Sequence, residues 1–304
     1  MECFYKELSV TEENGRFNHM DKSGQVISPI WWDAAYEFRD RLAVVKLNDK
    51  WNFVDEEGHL YYNEWWEITG EYNDDRCALA KKGNKYNYVS DECRPLSLVW
   101  WDNVGEFQDG IVPVTIGGKY NHMDNVGNII SPVWWDAIYP ISEGIIKVRR
   151  DFDFNYISTK GKLLSEEWLD DAFDFSGTFG RVVKDGKYNF IDDKGQLLCS
   201  EWWKFAMDFS ECRAAVQREA DSKWNYIDMD GDFILGCWVD LADSFCSGIA
   251  FIEKDDKFFF INRMGNKVDD MCFDSIAEIT PEYSLAWKDN GLYKITRDGI
   301  TAVV

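Results

Sequence analysis

The phrase K-Y-N-F-I-D-D-K-G, from Lys187 to Gly195, recurs along the chain with its third position at Asn18, Asn52, Asn87, Asn121, Asn155, Asn189 and Asn225. The steps between these asparagines are 34, 35, 34, 34, 34 and 36 residues, and two degenerate copies keep the register at Phe259 and Tyr293. A period of this length constrains the fold more than any other feature. A unit this short is one supersecondary element that cannot bury two faces alone, so neighbours must stack and share a core. Nine copies occupy nearly all of the 304 residues with no linker between them. The chain is read as one repeat domain, 1–304, whose incomplete first copy and degenerate last copies act as caps.

Thirteen residues after each asparagine stands an aromatic pair followed by an acid, as in Trp31-Trp32-Asp33, Trp100-Trp101-Asp102 and Trp134-Trp135-Asp136. Variants are Trp65-Trp66-Glu67, Trp168-Leu169-Asp170, Trp202-Trp203-Lys204, Trp238-Val239-Asp240 and Cys272-Phe273-Asp274. Twelve of the fifteen tryptophans fall in this register, so the tryptophan content belongs to the repeat and not to one cofactor pocket. Burying a large side chain is worth roughly 1.5–3 kcal/mol, which makes the indole pairs the expected glue between units.

Turn chemistry gives the strands. Three residues after the asparagine comes Asp21, Asp55, Ser90, Asp124, Ser158, Asp192, Asp228, Asn262 or Thr296, each able to accept from the backbone two residues on. Three further along is a glycine in every copy except one, where Cys93 stands. This spacing predicts a type I turn closed by a left-handed residue. Tight hairpins are read at Asn48-Asp49, Gly83-Asn84, Gly117-Gly118, Asp185-Gly186, Asp255-Asp256 and Asp289-Asn290. Each unit should hold a strand around the Trp-Trp-Asp phrase, one before the hairpin, one through the asparagine phrase and a short one after the glycine. Helix is expected to be minor, a turn near Asp33-Ala34-Ala35 and its equivalents.

These phrases resemble the bacterial WG-repeat family, whose units read like K-W-G-Y-I-D-x-x-G followed by a segment ending in Y-D-x-A-x-x-F. Lys223-Trp224-Asn225-Tyr226-Ile227-Asp228-Met229-Asp230-Gly231 matches the first phrase, and Trp135-Asp136-Ala137-Ile138-Tyr139 resembles the second. The resemblance runs over about the whole chain. It implies a β-rich interaction scaffold and carries no catalytic residues to transfer. The namesake glycine is asparagine in all seven well-formed copies. Asparagine tolerates left-handed geometry best among non-glycine residues, so a bulge or positive φ is expected at some of these positions. A side-chain hydrogen bond between units is the alternative.

The expected architecture is all-β: about nine antiparallel units stacked as an open curved β-solenoid, with a closed β-propeller as the alternative. Nine blades would be many for a ring, and neither end supplies a spare strand to close one.

With 33 Lys plus Arg against 55 Asp plus Glu, the formal charge is −22, which repels polyphosphates and argues against direct nucleic-acid binding. Nothing reads as a secretion signal or membrane span. The eight cysteines contain no C-x-x-C pair and share no column, so buried thiols in a reducing cytoplasm are expected, a disulfide-linked extracellular protein being the alternative.

Candidate chemistry is weighed against plainer roles. His19 and His122 occupy a slot held elsewhere by Phe53, Tyr88, Tyr156, Phe190 or Tyr226, which marks them as structural. The acids after the indoles (Asp33, Glu67, Asp102, Asp136, Asp170, Asp240, Asp274) could form a cation row, but one per unit reads better as a strand-end cap. Asp228-Met229-Asp230-Gly231-Asp232 resembles the start of a calcium loop, yet Val239 stands where the bidentate glutamate belongs. Hydrolase, phosphate-loop and zinc-protease motifs are missing. Catalytic, cofactor and metal residues are therefore expected to be none, and the binding residues stay unassigned. Most indoles are expected in the core, since an exposed row would aggregate, with some lining a groove at Trp65-Trp66 and Trp202-Trp203.

The function expected is a cytoplasmic, non-enzymatic scaffold for a basic protein or peptide, reached through variable loops such as Gln217–Ser222. The alternatives are an acidic nucleic-acid mimic that inhibits a basic enzyme, of a kind used in phage or bacterial defence, and an enzyme with its site in a central depression.

Overall fold

The computed structural model describes residues 8–303 apart from 40, 70–72 and 74–75. Cys3 lies outside the described residues. Two compact units make up the chain, Met1–Trp135 and Asp136–Val304. Among the described residues every regular element is a β-strand, and all pairings are antiparallel between consecutive strands. No helix among them is long and apolar enough to cross a membrane.

The unit Met1–Trp135 holds four small sheets. The first is the hairpin Ser9–Glu13 with Arg16–Met20, and the second is Ala34–Ala35, Leu42–Leu47 and Lys50–Asp55. Glu67–Ile68, Cys77–Lys82 and Lys85–Ser90 form the third; Asn103–Val104, Ile111–Ile116 and Lys119–Asp124 form the fourth. The unit Asp136–Val304 holds five more, the fifth to ninth in chain order. Their third strands are Asp153–Ser158, Lys187–Asp192, Trp224–Ile227, Lys257–Asn262 and Gly291–Thr296, and the ninth sheet adds Gly299–Ala302 as a fourth strand. None of these three- to four-stranded sheets closes into a barrel.

Middle strands set the core. Alternate residues such as Ala78 and Ala80, Val112 and Val114, or Ile146 and Val148 are fully buried, the alternation a pleated strand imposes. The hairpins that follow carry positive φ where the sequence predicted it, at Asn48 and Asp49 (52° and 61°) and at Asp185 and Gly186 (52° and 69°). A second set of left-handed turns precedes the middle strands, at Asp109-Gly110, Glu143-Gly144 and Glu211-Cys212, and was not anticipated.

Three details differ from the sequence reading. No strand is centred on the Trp-Trp-Asp phrase; the first strand of a sheet starts at or just after the acid and is often two residues long, as at Ala34–Ala35. The chain changes sheets at this point. Trp32 exchanges both backbone hydrogen bonds with Phe17 of the sheet before, while the next N–H, of Asp33, already bonds Lys46 O of the sheet after. Hence the helical turn expected at Asp33-Ala34-Ala35 is instead strand, because its backbone groups are claimed by the neighbouring middle strand. The strand expected after the turn glycine is a single bridge, as Val54 to Leu60, except in the ninth sheet.

No disulfide joins the seven described cysteines. Cys77 and Cys93 are buried as expected, but Cys212 and Cys237 are exposed, each sitting in a turn or connector.

Candidate interaction surface

Each recurring asparagine is buried, and none has positive φ. The bulge expectation is therefore corrected: the side chain, not the backbone, is what the position requires. Asn189 Nδ2 donates to Cys199 O and Glu201 O at 2.9 and 3.0 Å, and its Oδ1 accepts from Phe190 N–H at 2.8 Å. Asn18, Asn87, Asn121 and Asn155 make the same three bonds. The amide thereby fastens the connector that leads from one sheet to the next.

The acid after the indoles is a second fastener. Asp102 Oδ2 accepts from Gly117 N–H of the following hairpin at 2.7 Å, while its Oδ1 pairs with Lys85 of the preceding sheet. Asp240 takes Asp255 N–H and Lys223, and Asp274 takes Asp289 N–H and Lys257. The lysine first, then the backbone donor, holds each of these carboxyls below its usual range. These acids are strand-end acceptors, as the sequence suggested, and they face a lysine instead of an open cation site. Two adjoining joints break the pattern: Asp153 stands in the lysine column before Asp170, and Lys204 stands in the acid column after Lys187.

The two indoles of a pair do different jobs, a split the sequence reading missed. Consecutive residues of an extended chain point to opposite sides. The second ring is buried at Trp32, Trp66, Trp101, Trp135 and Trp203; the first is half-buried at Trp31, Trp65, Trp134, Trp168, Trp202 and Trp238. The second ring of one unit packs on the first ring of the next, at centroid distances of 6.1 Å for Trp32–Trp65, 5.9 Å for Trp66–Trp100 and Trp101–Trp134, and 6.3 Å for Trp203–Trp238. Nε1 of Trp32, Trp66 and Trp101 is buried without a hydrogen-bond partner, so these rings serve by their apolar area.

Half-buried first rings line shallow clefts at both places where the sequence pointed to a groove. Trp65 borders a cleft of about 430 Å³ with Lys50, Glu64, Glu67 and Lys81. Trp202 borders one of about 510 Å³ with Glu167, Lys184, Asp185 and Lys187. Beside the first, Lys82 Nζ lies 3.4 Å from the Tyr62 ring centroid and 4.8 Å from that of Trp100, and its burial lowers the ammonium to about 8 against the pull of Glu64.

Turns and connectors are where the units differ. The turn oxygen of Asp55 accepts from Glu57 and His59 N–H, and that of Asp228 from Asp230 and Asp232 N–H, so the calcium-like segment is spent on its own turn. Among the described residues no three His, Cys, Asp or Glu side chains cluster in a way that could hold a metal ion. Asp193, Asp230 and Asp256 project from exposed turns. Connectors of the unit Met1–Trp135 expose Ile30, Leu98, Val99 and Val133, whereas those of Asp136–Val304 expose Glu166, Glu167 and Glu201. The insertion is held in place, with Gln217 Nε2 donating to Ser222 O at 2.8 Å and Arg218 paired with Asp221 while lying 4.5 Å from the Trp238 ring.

His19 and His122 are buried in the core. His19 Nε2 is 2.8 Å from Tyr36 O, and since a carbonyl only accepts, Nε2 carries the proton. In the same slot Tyr88, Tyr156 and Tyr226 donate their hydroxyls to the carbonyl seventeen residues on, so histidine substitutes for a tyrosine donor.

Residues 20–51 match the family model described as WG containing repeat. No curated protein matches the chain. Solved structures similar to it include a eukaryotic initiation factor, at 11% identity over 98% of this chain and 96% of that one with a TM-score of 0.38. Hsv2p of Kluyveromyces lactis is similar at 10% identity over 88% and 96%, with a TM-score of 0.33. The dihydro-heme d1 dehydrogenase NirN, in complex with DHE, is similar at 14% identity over 100% and 74%, with a TM-score of 0.31.

Proposed function

We propose that this chain, a WG-repeat protein, is a non-enzymatic binding scaffold that takes a basic protein or peptide along its acidic turns and connectors. The observation that carries the reading is the division of labour within each unit. The conserved-spacing columns of asparagine, indole and acid are occupied with one another, whereas residues that vary from copy to copy, Asp193, Asp230 and Asp256 among them, stand in solvent. A charge of −22 on such a frame steers cationic partners and makes association salt-sensitive. The test is affinity capture with the full chain at low salt and at about 0.5 M NaCl, where the screening length is only a few ångströms. A basic partner lost at high salt is expected; a neutral partner indifferent to salt overturns the reading. Competition by duplex DNA for that basic partner would favour a nucleic-acid mimic instead.

We take the array to be an open solenoid, on the ground that each sheet is built only from consecutive strands. A ring-shaped envelope in small-angle scattering would exclude it.

A further inference from the structure

We infer that the joint between the eighth and ninth sheets is a binding site for a planar aromatic ring of indole size that carries an anionic group. The first indole of a pair rests on an apolar seat. Trp65 packs against the buried cluster that holds Trp32, Val45 and Val54 of the preceding unit. Trp202 packs against Leu169, Val182 and Ile191, and Trp238 against Trp203, Val216 and Ile227. The same three columns supply the seat each time.

At the joint in question those columns are Val239, Ile252 and Ile261, which are buried together in one cluster with Trp224 of the seventh sheet, while the column of Trp65, Trp202 and Trp238 holds Cys272. Val239 replaces the second ring of its pair, and Cys272 replaces the first ring of the next. Both members of the stacked pair are thus reduced to small side chains at one joint. A cavity of about 430 Å³ opens there, with Val239, Ile252, Ile261 and Phe259 among its lining residues. That is the size and apolar character of a small-ligand pocket, and its floor is the surface that seats an indole at the three other joints.

The rim supplies the charge. Lys254, Lys257 and Lys267 border the cavity, with Asp255 as its one acid. Lys257 is paired with Asp274 at 2.6 Å, and Lys267 lies 3.7 Å from the Phe259 ring. Lys254 Nζ donates to Cys237 Sγ at 3.4 Å, a weak acceptor that a carboxylate would displace. Lys254 occupies the column held by Leu47, which packs against the same cluster as Trp65, so here a cation stands where the other seat has an apolar group. A local excess of lysine on a molecule of charge −22 selects an anion. Two sources share this chemistry: a free aromatic carboxylate, and an aromatic residue next to an acid in a peptide.

The test is calorimetric titration of the full chain with indole-3-propionate, neutral 3-methylindole, cationic tryptamine and an acetylated Glu-Trp-Glu peptide amide. Saturable one-to-one binding of indole-3-propionate or of the peptide is expected, and which of them binds names the source. The neutral ring should bind about tenfold more weakly, the loss of one charge-assisted contact, and tryptamine more weakly still. Cys272→Trp restores the missing ring and should abolish binding. Lys254→Glu, a change at the half-buried rim, should leave 3-methylindole unaffected and remove the preference for the anion. The proposal is overturned if neither anionic probe saturates, if tryptamine binds as tightly as the anion, if folded C272W binds unchanged, or if K254E keeps the anion preference.

Discussion

His122 shows what a single buried residue demands of this fold. Its side chain is buried, Nδ1 has no hydrogen-bond partner, and desolvation lowers its affinity for a proton to about 4 from an ordinary value of 6.5. The unfolded chain therefore takes up the proton first as pH falls. Stability from the neutral ring is complete above about 6.5 and is lost progressively between there and about 4. Integrated over that linkage, the loss from pH 7 to pH 5 is about 2 kcal/mol. His122→Phe, which installs the residue found at Phe53 and Phe190, should remove that share, so urea unfolding at the two pH values should differ by about 2 kcal/mol less in the variant. Parallel pH dependence of the two proteins would refute it. The structural role of this histidine was legible because the repeat column names its equivalents. The role of the asparagines was legible only as the alternative to a left-handed backbone: tolerance of positive φ is the better-known property of that side chain, and burial together with the carbonyls ten and twelve residues on decides for an amide used as a clasp.

At the scale of the element, turns were the most legible feature, for their chemistry is local. Asx oxygen, glycine and hairpin positions all fell where the spacing put them, and Cys93 keeps the left-handed φ of 61° in the glycine column. Strand limits were less legible, because the switch between sheets depends on which neighbour claims the Trp32 and Asp33 backbone groups. One further demand on the turn glycines comes from outside the turn. Gly195 has φ 83°, and a Cβ there would overlap the Leu164 carbonyl of the preceding connector; Gly186, at φ 69°, has open space around it. Gly186→Ala should cost only the left-handed backbone penalty, about 1–2 kcal/mol. Gly195→Ala should cost several kcal/mol, since rigid backbone must move as well. Equal losses in denaturant unfolding would show that the connector yields freely and that the sheets are not in hard contact there.

For the whole molecule, the consequence of pairing only consecutive strands is that stability is a sum of sheets and of the joints between neighbours. The repeat period made this legible, and the indole pairs were correctly read as the joints. The cavity over Val239, Ile252 and Ile261 was not, for an absence in one column becomes a site only when the seat beneath it is seen to stay apolar and open. Asn189→Ala probes the principle. It leaves Cys199 O, Glu201 O and Phe190 N–H without their partner, a loss of about 2–3 kcal/mol. Those groups hold the connector from the sixth sheet to the seventh, where Trp203 exchanges backbone bonds with Tyr188 at 2.8 Å. Native-state hydrogen exchange should therefore speed at the amides of Tyr188, Phe190 and Trp203. The equivalent amides of Trp51 and Trp66, four units away in the repeat, should keep their protection, because among the described residues each strand pairs only with its neighbours in the chain. If every amide instead loses protection by the same amount, opening is global, and the joints couple the chain far more tightly than neighbour-by-neighbour addition allows.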